Sequence, residues 1–413
     1  MKVWIVNPYG TLPSEGWREY RSSLLAKALA ARGHKVTWWI SDFEHRSKSY
    51  RNSGYIHDPL LPSDVRVISV HSSRYKKNIS LGRIVYEISY GKEFERLALI
   101  EDSPDVLVMG DPSLFFCRYV LKYKNITGCK LILDVIDLWP ELFIVALPNI
   151  LKPIHRLIFY WLYKRRRNLV RLCDGLVAVS RDYLRIILKD QFKVPPNLVV
   201  YLGADVLAHN LISINQELNE ELKLFKDKYS LIVVYAGTLG DAYDMEIIIA
   251  AVNQAKKRHL SIGFIVAGSG PQSHRFLEAA KSHASHLKFL GNLPSDYMRT
   301  IYANSDVGLL PYVADSTVAM PLKFYDYLAG GLAILSSLDR DVNEQITNHN
   351  LGLNYQPMEV SDLMEKLEWL VSNKEKVDAY KKNSKILSNS YDTQFQYQRY
   401  SEFVEEISLG RKS

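Results

Sequence analysis

Segment 320–335, MPLKFYDYLAGGLAIL, collects residue types suited to binding an anion. Pro321 fits the first turn of a helix, where unpaired backbone amides and the positive end of the helix dipole attract negative charge. Lys323 adds a cation beside them, and Asp326 follows about one helical turn later, placed to accept hydrogen bonds from a ribose. An amphipathic helix with an incidental lysine and aspartate has the same spacing, so two readings stand. A second stretch, DVIDLWPEL at 134–142, ends an apolar run with Asp137 and Glu141. Carboxylates at such a strand-to-helix turn either satisfy backbone amides or face a ligand. A third stretch, NILKPIHRLIFYWLYKRRRNLVRL at 149–172, holds seven Lys or Arg and no Asp or Glu. In it Ile154, Leu157, Ile158, Trp161, Leu162, Leu169 and Leu172 recur at helical spacing, flanked by Phe159, Tyr160 and Tyr163. A basic, aromatic-rich amphipathic helix suits a membrane surface. A domain helix that buries its stripe and leaves KRRR solvated fits the same residues.

These residues need a scaffold to hold them. The 413 residues are enough for two domains, each with its own core, and 47% apolar with 23% charged residues is a soluble, globular composition. The net charge of +7 favours a polyanionic partner: nucleic acid, an anionic bilayer or a phosphorylated small molecule. No nucleic-acid recognition motif accompanies the charge, so a nucleic-acid partner is not expected. Cys117, Cys129 and Cys173 have no CxxC spacing and no histidine cluster, which points to a reducing cytosol and away from zinc. The opening MKVWIVNPYG is too short an apolar run for a signal peptide, and no stretch of about 18 apolar residues occurs. A cytoplasmic protein is expected, with peripheral contact to the inner face of the cell membrane if 149–172 docks there.

Short β-rich runs alternate with amphipathic stretches. VWIVN at 3–7, a helix with a stripe of Trp17, Tyr20, Leu24, Leu25, Ala28 and Leu29 closed by Gly33, and HKVTWWI at 34–40 make a βαβ opening. VRVISV, DVLVMG, KLILDVID, DGLVAVS and NLVVYL continue it as parallel strands buried on both faces. After a segment without strand signal a second series begins at LIVVYAGTLG and runs through SIGFIVAGSG, HLKFLGNL, SDVGLLPY and LAILSS. The expected domains are 1–206, 207–390 and a closing helix at 391–413, with ligands in the cleft at the carboxyl ends of the strands.

Segment 320–335 resembles the donor-site signature of the retaining glycosyltransferases of family 4, glycosyl transferases group 1, in the branch written P-x-K-x-x-E-Y-x-A-x-G-x-P-V. Pro321, Lys323, Tyr327, Ala329 and Gly331 match; Asp326 stands where Glu is usual and Ala333 where Pro is. In the family's other form a first Glu occupies the position of Val318. YAGTLG at 235–240 is similar to the loop that opens the nucleotide domain, with Asp241 where many relatives place Arg. AGSGP at 267–271 matches the turn after the next strand, and Gly291 and Asn292 match the stretch near the nucleobase. DLWPE at 137–141 resembles a motif of relatives that build bacterial surface polysaccharides. PYGTLPSEGWR at 8–18 takes the place of the family's N-terminal loop, and VSRDYL and YLGAD resemble two further landmarks, with Leu202 for the usual Asn.

The resemblance implies a GT-B fold: two doubly wound, Rossmann-like α/β domains facing a central cleft, with a C-terminal helix closing back. It implies transfer of a hexosyl or related unit from a UDP- or GDP-linked donor to a saccharide or lipid-linked acceptor, with retention and without metal or other cofactor. Such a role belongs to bacterial surface polysaccharide, lipopolysaccharide or glycoconjugate synthesis. Lys323 and Asp137 would be catalytic. Gly237, Thr238, Gly291, Asn292, Thr317, Val318, Ala319, Met320, Lys323 and Asp326 would hold the donor. Gly16, Arg18, Asp111, Asp137 and Glu141 are the acceptor-side candidates. A sugar-nucleotide epimerase and a non-catalytic nucleotide-sugar-binding protein are the competing classes on this architecture.

Overall fold

In a computed structural model the protein is described over residues 1–410, apart from Tyr20, Pro112, Ser113, Asp190, Phe192 and Ile212. The side chains of Asp111, Val145, Ala146 and Ala208 also lie outside the description. The chain forms two compact units, Met1–Leu202 with Gln396–Ser413, and Gly203–Phe395.

In the first unit the apolar runs become β1 (Lys2–Val6), β2 (Lys35–Ser41), β3 (Gly54–Ile56), β4 (Val65–Val70), β5 (Val106–Asp111), β6 (Lys130–Val135), β7 (Gly175–Ala178) and β8 (Asn197–Val199). They hydrogen-bond in the order β8-β7-β6-β5-β1-β2-β4-β3, parallel except for β3. Strand order reverses between β1 and β5, the position where a doubly wound sheet opens a crevice at its carboxyl edge. Near-continuous Val, Ile and Leu suit strands covered on both faces. β3 escapes the sequence pattern because it is a short, mostly exposed edge strand.

Helices α1 (Ser22–Ala31), α2 (Leu81–Ala98) and α3 (Tyr160–Leu172) flank this sheet. The opening helix starts later than its stripe predicts. Trp17 is exposed, Tyr20 lies outside the described residues, and the buried face is Leu25, Ala26, Leu29 and Ala30. The cause is Arg21, which is fully buried with φ +51 and breaks the helical path. Segment 149–172 is likewise not one helix: a 3-10 turn at Asn149–Ile154 containing Pro153 and a single turn at His155–Ile158 precede α3. The C-terminal helix (Thr393–Ser408) packs Tyr397, Tyr400, Phe403 and Val404 into the first unit's core beside Ile5, Trp38 and Ile132. At roughly 1.5–3 kcal/mol per large buried side chain, these contacts hold the chain's end on the first unit.

The second unit repeats the design with β9 (Leu231–Ala236), β10 (Ile262–Ala267), β11 (Leu287–Gly291), β12 (Val307–Leu310), β13 (Ala333–Ser336) and β14 (Gly352–Asn354). Their order is β11-β10-β9-β12-β13-β14, all parallel. The reversal falls between β9 and β12, and α4 (Leu322–Ala329) follows the loop after β12.

Candidate functional site

In the second unit the loops leaving β9 and β12 bring glycine and lysine together. Gly237 has φ +140, and a Cβ there would stand 2.5 Å from Lys323 Cε and 2.8 Å from its Nζ, so only glycine leaves the lysine room. Gly268, also at φ +140, would place a Cβ 1.8 Å from the Gly237 carbonyl oxygen. The Gly268 amide donates to Gly291 O at 2.6 Å, and the Gly237 amide to Ala267 O at 2.9 Å. The turns after β9, β10 and β11 are therefore stacked backbone on backbone.

Lys323 sits over the Tyr243 ring, 4.0 Å from its centroid, and 5.2 Å from that of Tyr235. Among the described residues no carboxylate forms an ion pair with it. A cation held by ring faces keeps its N–H donors for an anion. Pro321 is the N-cap of α4 rather than part of its first turn. Tyr327 locks the helix in place: its hydroxyl donates to Leu309 O at 3.3 Å and accepts from the Ala236 amide at 3.2 Å.

The other donor candidates occupy the same loops. Ala319 and Met320 are buried, the Ala319 carbonyl accepting from the Val342 amide at 3.1 Å. Thr317 and Val318 are half-buried, and the Val318 amide donates to Ser316 Oγ at 3.3 Å. Thr238 accepts from the Tyr235 hydroxyl at 2.5 Å through its carbonyl, and Asn292 is exposed beside Gly291 at φ +64. Asp326 is half-buried and neighbours His209, whose imidazole pKa burial and Lys385 lower while Asp326 opposes them. Lys323 and Asp326 thus share a helix but turn to different neighbours.

In the first unit, a pocket of about 130 Å³ opens where β1 and β6 end, lined by Asn7, Tyr9, His45, Arg46, Arg83 and Asp137 among others. Its floor is built on a buried ion pair. Arg21 Nε donates to Asp134 Oδ2 at 2.9 Å, a second guanidinium nitrogen meets Asp134 Oδ1, and Nη1 donates to Val200 O at 2.6 Å. The Arg21 amide donates to the Tyr397 hydroxyl at 2.9 Å, which ties the C-terminal helix to the same point. Beside it Asn7 Nδ2 donates to Ser22 Oγ at 3.0 Å.

Asp137 faces the mouth of this pocket. Its side chain is exposed there, although protein crowds it on the other sides; that crowding raises its carboxyl pKa and Arg83 opposes the rise. Arg83 Nε donates to the Tyr9 hydroxyl at 2.9 Å, and the same hydroxyl donates to Glu87 Oε1 at 2.7 Å. Burial brings the Glu87 carboxyl up to about 7, against the pull of Tyr9 and Arg83. Burial, then Lys48 and Arg83, bring His45 down to about 4, so it is neutral at physiological pH.

The remaining acceptor-side candidates lie elsewhere. Glu141 binds the buried Arg166, which donates from Nη1 at 2.6 Å and Nη2 at 2.9 Å, so its carboxylate is committed to holding α3. Gly16, at φ +76, and Arg18 are exposed and do not line the pocket; Tyr9, Gly10 and Thr11 of the same loop do. Asp111 ends β5, with its side chain outside the described residues. The basic helix needs a correction too: Arg166 points inward, and Arg165 Nη1 donates to Leu114 O at 3.1 Å beside Phe115 and Trp161. Sequence reasoning missed Tyr9, His45, Arg46 and Arg83, which arrive from two separated loops and the first turn of α2 and carry no local pattern. A larger hollow, about 650 Å³, touches Lys130, Asp174 and Asn197 at the amino ends of the strands, the edge opposite to the crevice.

Two doubly wound, Rossmann-like units, the second with a glycine-lined, lysine-bearing loop system, are the units of a GT-B fold. Residues 216–386 match the family model described as Glycosyl transferases group 1. It is 21% identical over 358 residues to a chitobiosyldiphosphodolichol beta-mannosyltransferase of Candida albicans, covering 81% of this chain and 76% of that one. Among solved structures it is similar to sucrose-phosphate synthase from Thermosynechococcus elongatus, with a TM-score of 0.73 at 13% identity, covering 99% of each chain. It is also similar to Anabaena HepE in complex with UDP, with a TM-score of 0.67 at 14% identity, covering 98% of this chain and 100% of that one. Among the described residues no helix is long and apolar enough to cross a membrane.

Proposed function

We propose that this glycosyltransferase moves a hexosyl or related sugar from a UDP- or GDP-linked donor held in the second unit to an acceptor held in the first, with retention and without a metal. The observation that carries the donor side is Lys323, set against Gly237 at the amino end of α4 and, among the described residues, paired with no carboxylate. The diphosphate lies along the Gly237 and Thr238 backbone and the start of α4, where oriented amides and the lysine meet its charge. Asp326 accepts from the ribose. As the bond from the anomeric carbon to the diphosphate oxygen breaks, its electron pair stays on the diphosphate, and Lys323 stabilises the growing charge. The acceptor oxygen bonds to the same face of that carbon. Asp137 orients the acceptor hydroxyl, and its proton passes to the departing diphosphate oxygen.

On the acceptor side we favour a lipid-linked saccharide used in surface polysaccharide or glycoconjugate synthesis, with residues 149–172 at the cytoplasmic membrane face. The DLWPE resemblance supports it, as does the name of the Candida relative. Ile150, Leu157 and Trp161 are exposed beside Lys152, Arg156 and Lys164. The UDP complex of Anabaena HepE supports a uridine donor.

The test is thermal stabilisation by a panel of UDP- and GDP-sugars, since only a ligand bound to the folded state raises its stability, by about 2.7 kcal/mol at a hundred times Kd. One base with one sugar should raise the midpoint, and EDTA should leave turnover intact. A panel with no stabilising member refutes the donor reading.

A further inference from the structure

Beside the polar pocket of the first unit lies a second hollow of about 420 Å³, within the range of small-ligand sites (roughly 300–1,000 Å³), walled by α2, Trp139, Phe143 and α3. Its lining is apolar apart from a few groups: Ile84, Phe115, Trp139, Phe143, Phe159 and Leu162 pack into one cluster around it. Its rim is exposed and apolar, with Ile79 at 49%, Leu81 at 80% and Trp161 at 48% of full exposure. Isolated exposed apolar residues are ordinary, but a rim continuous with an apolar hollow marks a binding surface.

Arg83 joins the two hollows and lines both. Its guanidinium lies between two rings, 4.7 Å from the Tyr9 centroid on the polar side and 4.6 Å from the Trp139 centroid on the apolar side. Nε and Nη1 are bound to Tyr9 and to Asn78 O, while among the described residues Nη2 makes no hydrogen bond. Arg46 faces the same polar pocket, and Lys48 stands near enough to depress His45. Two carboxylates face this charge: Glu87, 3.9 Å from Arg83 and held toward its neutral form by burial, and Asp137 at the pocket mouth, so the two arginines and Lys48 outnumber them.

We infer that the two hollows form one amphiphile site, in which the apolar groove takes the hydrocarbon chain of a phosphate-linked lipid acceptor and Arg83, with Arg46, takes its phosphate. Charge and polarity select this occupant: the cationic pocket demands an anion, the groove demands hydrocarbon, and Arg83 sits at their junction. A membrane surface satisfies the exposed rim alone; a chain that enters the groove also satisfies its interior. The inference rests on the lipid-linked acceptor proposed above and adds where the lipid binds.

Farnesyl phosphate, inorganic phosphate and farnesol serve as probes, titrated calorimetrically into the full-length protein below the micellar range, without donor. Each methylene buried contributes about four-fold in affinity, so farnesyl phosphate should bind at least 100-fold more tightly than inorganic phosphate. It should also bind at least 10-fold more tightly than farnesol. The double variant Ile79→Ser, Trp161→Gln changes exposed rim residues and should weaken farnesyl phosphate at least 10-fold while leaving inorganic phosphate unchanged. Arg83→Lys should weaken both phosphates. Equal affinity for farnesyl and inorganic phosphate overturns the inference. So does a double variant that loses binding to anionic vesicles but holds farnesyl phosphate as wild type does, since the rim would then be a membrane contact only. UDP-sugar binding, measured in parallel, reports separately on the donor reading.

Discussion

Replacing Lys323 by methionine removes the charge and keeps the stem that packs between Gly237 and Tyr243. In the free protein the ammonium is held by the rings of Tyr243 and Tyr235, an interaction of about 0.5–1 kcal/mol at a partly exposed site. Binding a diphosphate exchanges this for a charge-assisted hydrogen bond of roughly 1.5–3 kcal/mol. The difference centres near 1.5 kcal/mol, so Lys323→Met should weaken nucleotide affinity about 10-fold. Turnover should fall further, about 10- to 100-fold, because charge on the diphosphate grows as the bond breaks. Gly237→Ala supplies the complementary perturbation. It leaves the charge but places a methyl 2.5 Å from Lys323 Cε on backbone at φ +140, which should displace the lysine and cost at least as much affinity. Calorimetric titration of the nucleotide at several salt concentrations, with initial rates of sugar transfer, reads both effects, and the methionine variant should show a shallower salt dependence. A folded Lys323→Met protein with wild-type affinity, salt dependence and rate would refute the placement of the diphosphate.

Asp137→Ala should lower transfer by about 100-fold or more while leaving donor-induced stabilisation intact, since Asp137 belongs to the first unit; unchanged turnover returns it to a structural role. Glu87 makes a prediction about stability. A carboxyl raised to about 7 in the folded protein keeps its proton between roughly pH 4.5 and 7, where the unfolded chain has released it, so stability falls as pH rises through that window and levels above it. The shift corresponds to about 3 kcal/mol. Urea unfolding followed by tryptophan fluorescence reports the first unit, which holds every tryptophan except Trp369. Between pH 5 and pH 8 the wild type should lose that much more stability than Glu87→Gln; parallel profiles would refute the raised pKa.

The loops that bring Gly237, Gly291 and Lys323 together, proposed above to hold the donor, were legible in the sequence because their determinants are local. A phosphate site of this kind needs glycines where backbone must crowd and a lysine one residue into a helix, and both fit within short windows such as YAGTLG and PLKFYDY. Strands covered on both faces write themselves as apolar runs, whereas the short edge strands at Gly54–Ile56 and Gly352–Asn354 bury too little to leave one. The pocket proposed for the acceptor follows a different logic. Its polar groups come from the loop after β1, the turn at His45 and Arg46, the first turn of α2 and the end of β6, and only the fold brings them together. A residue's use is also set by its partner: Glu141 stands in a recognisable motif but is bound by Arg166, and Arg166 stands in a basic run but is buried to meet it. Each of the two looked functional alone, and together they fasten α3 to the turn that presents Asp137. The motif's glutamate thus acts on the site through the scaffold, and Glu141→Gln should therefore disturb the Trp139–Phe143 wall of the groove before it disturbs the donor loops.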